Sequence, residues 1–233
     1  MTATLTPTRH RGVETLETPG IPDEVVRRSL HDVARANSLF GGTRAVLREL
    51  CPMFGEHVGQ RLTLLDVGTG AADIPVAARQ AARQRGVTLT TYGLDNAFTL
   101  VHAAGAKLDV ALAGDVRSLP LADRSVDVVV CSQLLHHFPE AGIADVLREL
   151  DRVARLRVII SDLRRSWIAA AGIWLASFPL GFHPVSRHDG VVSVLRGFTS
   201  RELGAHVIRA LHRAPHVRRR LGWRVTATWT PRP

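Results

Sequence analysis

Residues 62–75 read LTLLDVGTGAADIP. An apolar, strand-like run ends in Asp66. Gly68 and Gly70 then turn the chain into a stretch from Ala71 to Arg85 whose Ala, Gln and Arg content is that of a helix. Without a Cβ, the two glycines permit positive φ and let a ligand approach the backbone. The helix behind them presents unsatisfied N–H groups and its positive end. A dinucleotide fingerprint would need a third glycine where Asp73 stands, and a carboxylate there would face a pyrophosphate. A Walker loop needs a lysine, and the only one is Lys107. What remains is D-x-G-x-G among acidic residues, suited to a ligand carrying positive charge and hydroxyls.

Outward from this loop, strands and helices alternate. Val87–Leu94 is rich in β-branched residues and ends at Asp95; Leu108–Ala113 and Leu156–Ile160 are further strands. Val126–Cys131 is apolar on both faces, as a central parallel strand is. Pro139 starts a helix with a buried stripe of Ile143, Val146, Leu147, Leu150 and Val153. This order predicts a doubly wound parallel sheet with ligands at the carboxyl ends of its strands.

The set LLDVGTGAADIP, YGLDNA (Tyr92–Ala97) and GDVRSLPLADRSVDVVVCSQLLHHF (Gly114–Phe138) resembles, in order, the motifs of class I S-adenosylmethionine-dependent methyltransferases. The resemblance covers roughly residues 61–162 and leans toward the small-molecule enzymes of quinone and polyketide type. It implies a Rossmann-like seven-stranded sheet with a C-terminal antiparallel hairpin and an N-terminal helical lid. It further implies S-adenosylmethionine as cofactor, with S-adenosylhomocysteine as product. Asp66, Gly68, Thr69, Gly70, Asn96, Val116 and Ser132 would then line the cofactor, with Asp95 on the ribose hydroxyls and Asp115 on the adenine amino group.

The 233 residues suit one unit with helical decorations. Residues 1–19 are polar and Thr/Pro-rich, carry no signal-peptide h-region, and read as a disordered tail. Residues 20–60 read as a helical cap that begins at Asp23 and breaks at Asn37–Thr43, and residues 61–233 as the core, with a substrate-recognition insertion at 164–198. Phe40 and Arg44 are candidates to cover the site; the alternative is a brace with Phe40 in the core and Arg44 solvated. Ser166–Phe182 is uncharged over 17 residues, short of the ~20 of a spanning helix. Trp167, Trp174 and Phe178 in it offer flat walls for an aromatic or acyl acceptor, an ordinary core helix being the alternative and a membrane-surface contact a third. Thr199–Ser200 before Glu202 marks a helix start. Trp223–Trp229 should pair with the region around Ala214–Arg218, with Arg218–Arg220 at the exposed turn.

Methyl transfer asks the protein for positioning and for removal of any proton. His137, in SQLLHHF after the fourth strand, and His188, beside Asp189, are the candidate catalytic bases. Their alternatives are cofactor lining and a loop turn at Asp189–Gly190. Ser132–Gln133 stands where a metal-assisted mechanism would want a carboxylate, and no ligand spacing appears elsewhere, so metal independence is expected. Cys51 and Cys131 do not suggest a disulfide, which suits a cytoplasmic protein.

The net charge of +9 raises nucleic acid as a partner. The SQLLHH segment lacks the Pro-Pro-aromatic loop that grips a flipped base, which argues against it. The expected reaction is O-methylation of a small phenolic or polyketide-derived acceptor in secondary metabolism. C-methylation of a quinone-like ring, or a non-methylating cyclase, decarboxylase or regulatory role on the same fold, stays open, as does a homodimer.

Overall fold

The structure, a computed structural model, describes residues 5–10, 12–18 and 20–232. Seven strands form one sheet: β1 (Arg61–Val67), β2 (Thr88–Asp95), β3 (Val110–Ala113), β4 (Val126–Ser132), β5 (Ala154–Leu163), β6 (His216–Arg220) and β7 (Arg224–Trp229). Their order is β3-β2-β1-β4-β5-β7-β6, with β7 antiparallel to both its neighbours and the remaining pairs parallel. This is the seven-stranded sheet with a C-terminal antiparallel hairpin that the sequence resemblance implied.

Helix α2 (Gly42–Glu56) and α3 (Asp73–Arg83) cover one face through Val46, Leu50, Phe54, Ile74 and Ala78. Helix α5 (Glu140–Val153) and α8 (Ser200–Leu211) cover the other through Ile143, Leu147, Leu150, Leu203 and Val207. Val128 and Val130 of β4 face the first layer, and Val129 and Cys131 the second. That is why this strand is apolar without alternation. The Thr199 hydroxyl accepts from the Glu202 amide, and the Glu202 carboxylate accepts from the Thr199 amide, so the capping box expected there starts α8.

Above the carboxyl ends of the strands lie α1 (Asp23–Leu39), α6 (Trp167–Ser177) and α7 (Pro184–Arg196). Three expectations need correction here. Val185–Arg196 is helical, so Asp189–Gly190 is no turn. Arg218–Arg220 belongs to β6, with Arg220 paired to Glu49, and the turn falls at Leu221–Trp223. Helix α2 is part of the sheet's covering layer and not of a cap.

The expected disordered tail is, over its described residues, a strap across α7. The remainder of that tail, residues 1–4, 11 and 19, lies outside the described residues. Arg165 Nε donates to the Pro7 carbonyl, and the His10 amide to the Leu195 carbonyl. Arg196 Nε donates to the Gly12 carbonyl, and both oxygens of Asp189 accept from the amides of Thr15 and Leu16. A polar, Pro-rich stretch has no apolar face to announce it. Side chains more than 150 residues away along the chain satisfy its backbone instead.

Candidate functional site

At the tip of β1 the chain enters the left-handed region at Gly68, Gly70 and Ala72 before α3 begins. Gly68, at φ +73°, holds a conformation that favours glycine, and a Cβ there would stand 3.0 Å from the Leu134 side chain, which would have to give way. The loop opens on a groove of about 190 Å³ lined by Val67, Gly68, Leu94, Asp95, Asn96, Asp115, Val116, Leu134 and Phe138, among others. Asp95, at the end of β2, accepts from the Gly70 amide at 3.1 Å and from the Ala97 amide at 3.2 Å. The loop and the carboxylate thus hold each other. Asp115 lies half-exposed, its two oxygens held by Arg117 Nε at 3.1 and 3.0 Å.

Beside the groove, at the strand ends, buried polar groups lack partners among the described residues. Asp66 is buried at the strand tip with Oδ1 unpaired among the described residues. Burial first, then the charges of Asp73 and Asp95, push its carboxyl well above the usual range. Ser132 Oγ, at the end of β4, is likewise buried and unpaired. Of the expected cofactor contacts, Gly68, Asp95, Asn96, Asp115 and Val116 line the groove, and Gly70 is tied to it through Asp95. Asp66, Thr69 and Ser132 are buried at neighbouring strand ends.

A second cavity, about 290 Å³, lies on the far side of the segment after β4. Leu134 and Phe138 face the groove, whereas Gln133, His136 and His137 face this cavity. One short segment therefore partitions the two. The cavity's remaining walls are mainly apolar: Val33, Ala36 and Phe40 of α1 and its end, Ala169, Gly172 and Ile173 of α6, Phe182, Val194 and Trp223. Phe40 lines this cavity, and Arg44 is exposed. Gly222, at φ +72°, packs against the Phe40 carbonyl, and a Cβ there would overlap that oxygen. Gly222→Ala is expected to cost about 1–3 kcal/mol and to lower the melting temperature by several degrees in calorimetry.

Among the polar groups of the lining, one cluster is tightly paired. His136 is buried with Nδ1 2.7 Å from Asp162 Oδ1 and Nε2 3.7 Å from Glu14 Oε1. Burial opposes its charge, but the carboxylates of Asp162 and Glu14 outweigh that and push its pKa up to about 9. His137 is partly exposed, with Nδ1 2.7 Å from Glu17 Oε1. Arg196 holds both oxygens of Glu17 and lies 3.4 Å from Glu14. Glu14, His136 and His137 bring three ligating atoms within 4.8 Å, a grouping that spacing in the sequence concealed because Glu14 comes from the strap. The Arg196 guanidinium already supplies a cation at Glu14, which leaves the cluster poorly suited to a second one.

Sequence reasoning placed four residues wrongly. Trp167, Trp174 and Phe178 are about half exposed on the outer side of α6, away from the cavity. An apolar helix without a polar stripe gives no periodic signal for which side turns inward. His188 is bound to Asp189 at 2.9 Å but faces solvent outside the cavity. The residues missed are Glu14, Asp162 in its role on His136, and Gln133. Gln133 holds φ +53° at the cavity edge, accepting from the buried Arg224 at 2.5 Å and donating to Asn37. The SQLLHH run was the available signal for His136, but two adjacent histidines do not say which is buried.

Residues 65–160 match the family model described as a methyltransferase domain. Among solved structures, an S-adenosylmethionine-dependent methyltransferase from Aquifex aeolicus is similar over 80% of this chain and 87% of its own, at 22% identity and TM-score 0.55. Magnesium protoporphyrin IX methyltransferase from Synechocystis PCC 6803, solved with bound S-adenosylmethionine, is similar over 94% of this chain and 89% of its own, at 15% identity and TM-score 0.54. The same enzyme with bound S-adenosylhomocysteine matches at 16% identity and TM-score 0.54, over 92% and 89% of the two chains.

Proposed function

We propose that this chain, with its methyltransferase domain at 65–160, transfers a methyl group from S-adenosylmethionine to the hydroxyl oxygen of a small apolar acceptor, phenolic or polyketide-derived, in secondary metabolism. The observation that carries this reading is the partition: one segment, 133–138, separates an acidic groove from an apolar cavity.

The residues present fit the cofactor. Unpaired Asp66 Oδ1, the glycine at 68 and the carboxylate pair Asp66–Asp95 suit a ligand that brings positive charge and hydroxyls. Asp95 would take the ribose hydroxyls, Val116 and Asp115 the base, and Gly68 and Gly70 the close backbone approach. When bound, S-adenosylmethionine supplies an electrophilic methyl group on its sulfonium.

On the acceptor side, Phe40, Ile173 and Phe182 exclude water and hold the apolar body. The His136 imidazolium, fixed by Asp162, puts positive charge on the wall and favours an ionised acceptor oxygen. Donation from His137 Nδ1 to Glu17 leaves the other ring nitrogen to accept the hydroxyl proton.

The test is transfer of label from methyl-labelled cofactor to a panel of phenols, quinones and tRNA. Label on phenolic oxygen supports the reading; label on ring carbon or RNA, or none despite cofactor binding, overturns it. With a labelled phenol in hand, His137→Ala should lower kcat by roughly 100-fold, and less for more acidic phenols. His188→Ala should stay within about twofold, because its ring lies outside the cavity. Equal turnover in the wild type and His137→Ala would remove the base assignment.

A further inference from the structure

Helix α6 has no charged residue, yet half of it faces outward. Trp167, Ile168, Trp174, Leu175 and Phe178 are 46–60% exposed on that side. A helix apolar all round normally lies in a core or in lipid, and contiguous exposed apolar surface of this kind marks a contact. No described helix is long and apolar enough to cross a membrane, so a lipid contact here would lie along the surface.

We propose that the outer face of α6 docks on an anionic lipid bilayer, and that the acceptor reaches the cavity from that bilayer. Charge complementarity selects this occupant. Arg28 donates to the Gly181 carbonyl at 2.9 Å, Arg35 to the Leu180 carbonyl at 3.1 Å, and the Arg187 guanidinium lies 3.8 Å from the centre of the Phe178 ring. Three arginines thus border the end of the apolar face. Among the described residues Arg35 and Arg187 have no carboxylate within ion-pair distance; Arg28 has Asp32 at 3.7 Å. Anionic headgroups would neutralise them while the Trp, Leu and Phe side chains enter the boundary with the acyl chains.

The same helix connects surface and cavity. Ala169, Gly172 and Ile173 form cavity wall, and nothing lies within 4 Å of where a Cβ on Gly172 would stand. The wall between the outer face and the cavity is therefore one helix thick, with its smallest side chains at its middle. The inferred acceptor class, a phenol or quinol with a lipid tail that partitions into the bilayer, rests on the methyltransferase reading above; the docking itself does not.

Co-sedimentation of the full chain with vesicles tests the docking. The wild type should bind vesicles of phosphatidylcholine with about 30 mol% phosphatidylglycerol, at least tenfold more weakly at high salt or with phosphatidylcholine alone. The double variant Trp174→Glu/Leu175→Glu should lose at least tenfold in vesicle binding, with unchanged circular dichroism and unchanged affinity for S-adenosylhomocysteine. Equal sedimentation of wild type and variant overturns the proposal. So does a wild type that ignores vesicles but has the mass of two chains, falling to one in the variant. Failure of the wild type to bind S-adenosylhomocysteine would instead sink the methyltransferase reading and leave the vesicle result standing.

Discussion

Asp95→Ala is expected to weaken S-adenosylhomocysteine binding by at least about 100-fold while the chain stays folded. A carboxylate accepting two ribose hydroxyls makes charge-assisted bonds of roughly 1.5–3 kcal/mol each, so loss of both, roughly 3–6 kcal/mol, exceeds the 2.7 kcal/mol or so of a hundredfold change. The substitution also frees the Gly70 and Ala97 amides, which loosens the glycine loop where the ligand must approach. Asp95→Asn keeps one acceptor and loses the charge, and should fall between the two. Isothermal titration of the three proteins decides it; an Asp95→Ala affinity within threefold of the wild type would remove Asp95 from the site.

The second large effect is on stability. Asp162→Asn should cost about 3–5 kcal/mol at pH 7, because it leaves a buried imidazole without the carboxylate that charges it. His136 is held at about 9 in the folded chain, above the 6.5 of an unperturbed histidine. A raised folded pKa contributes stability that is fully present below pH 6.5 and lost as pH rises through 9. The contribution is on the order of 3 kcal/mol. Melting curves from pH 6 to 10 should therefore converge: the gap between wild type and Asp162→Asn is widest near pH 6 and narrows toward pH 10. The buried Cys131 thiol, whose pKa burial raises, titrates in both proteins and largely cancels in the difference. Parallel curves would show that His136 carries no extra proton in the folded state.

The sheet and the groove beside the glycine loop were readable because each signal was local. D-x-G-x-G needs only five consecutive residues to state its geometry, Asp95 ends its own strand, Asp115 follows two residues after the end of β3, and the Thr199–Glu202 cap closes within one turn. The acceptor side was not, since its polar wall is assembled across the chain. Glu14 meets His136 over a separation no pattern marks, and His136 is ordered by Asp162 from the next strand. Composition correctly singled out Trp167, Trp174 and Phe178 as unusual but could not say which way they turn. The helix that carries them is apolar on every side.

Titration of the full chain with S-adenosylhomocysteine tests the central claim most directly, namely that the glycine loop and its carboxylates form a nucleoside site. The fold and groove predict a single saturable site per chain with micromolar or tighter affinity, competed by S-adenosylmethionine and abolished in Asp95→Ala. No detectable binding at millimolar ligand, with the chain shown to be folded, would contradict it.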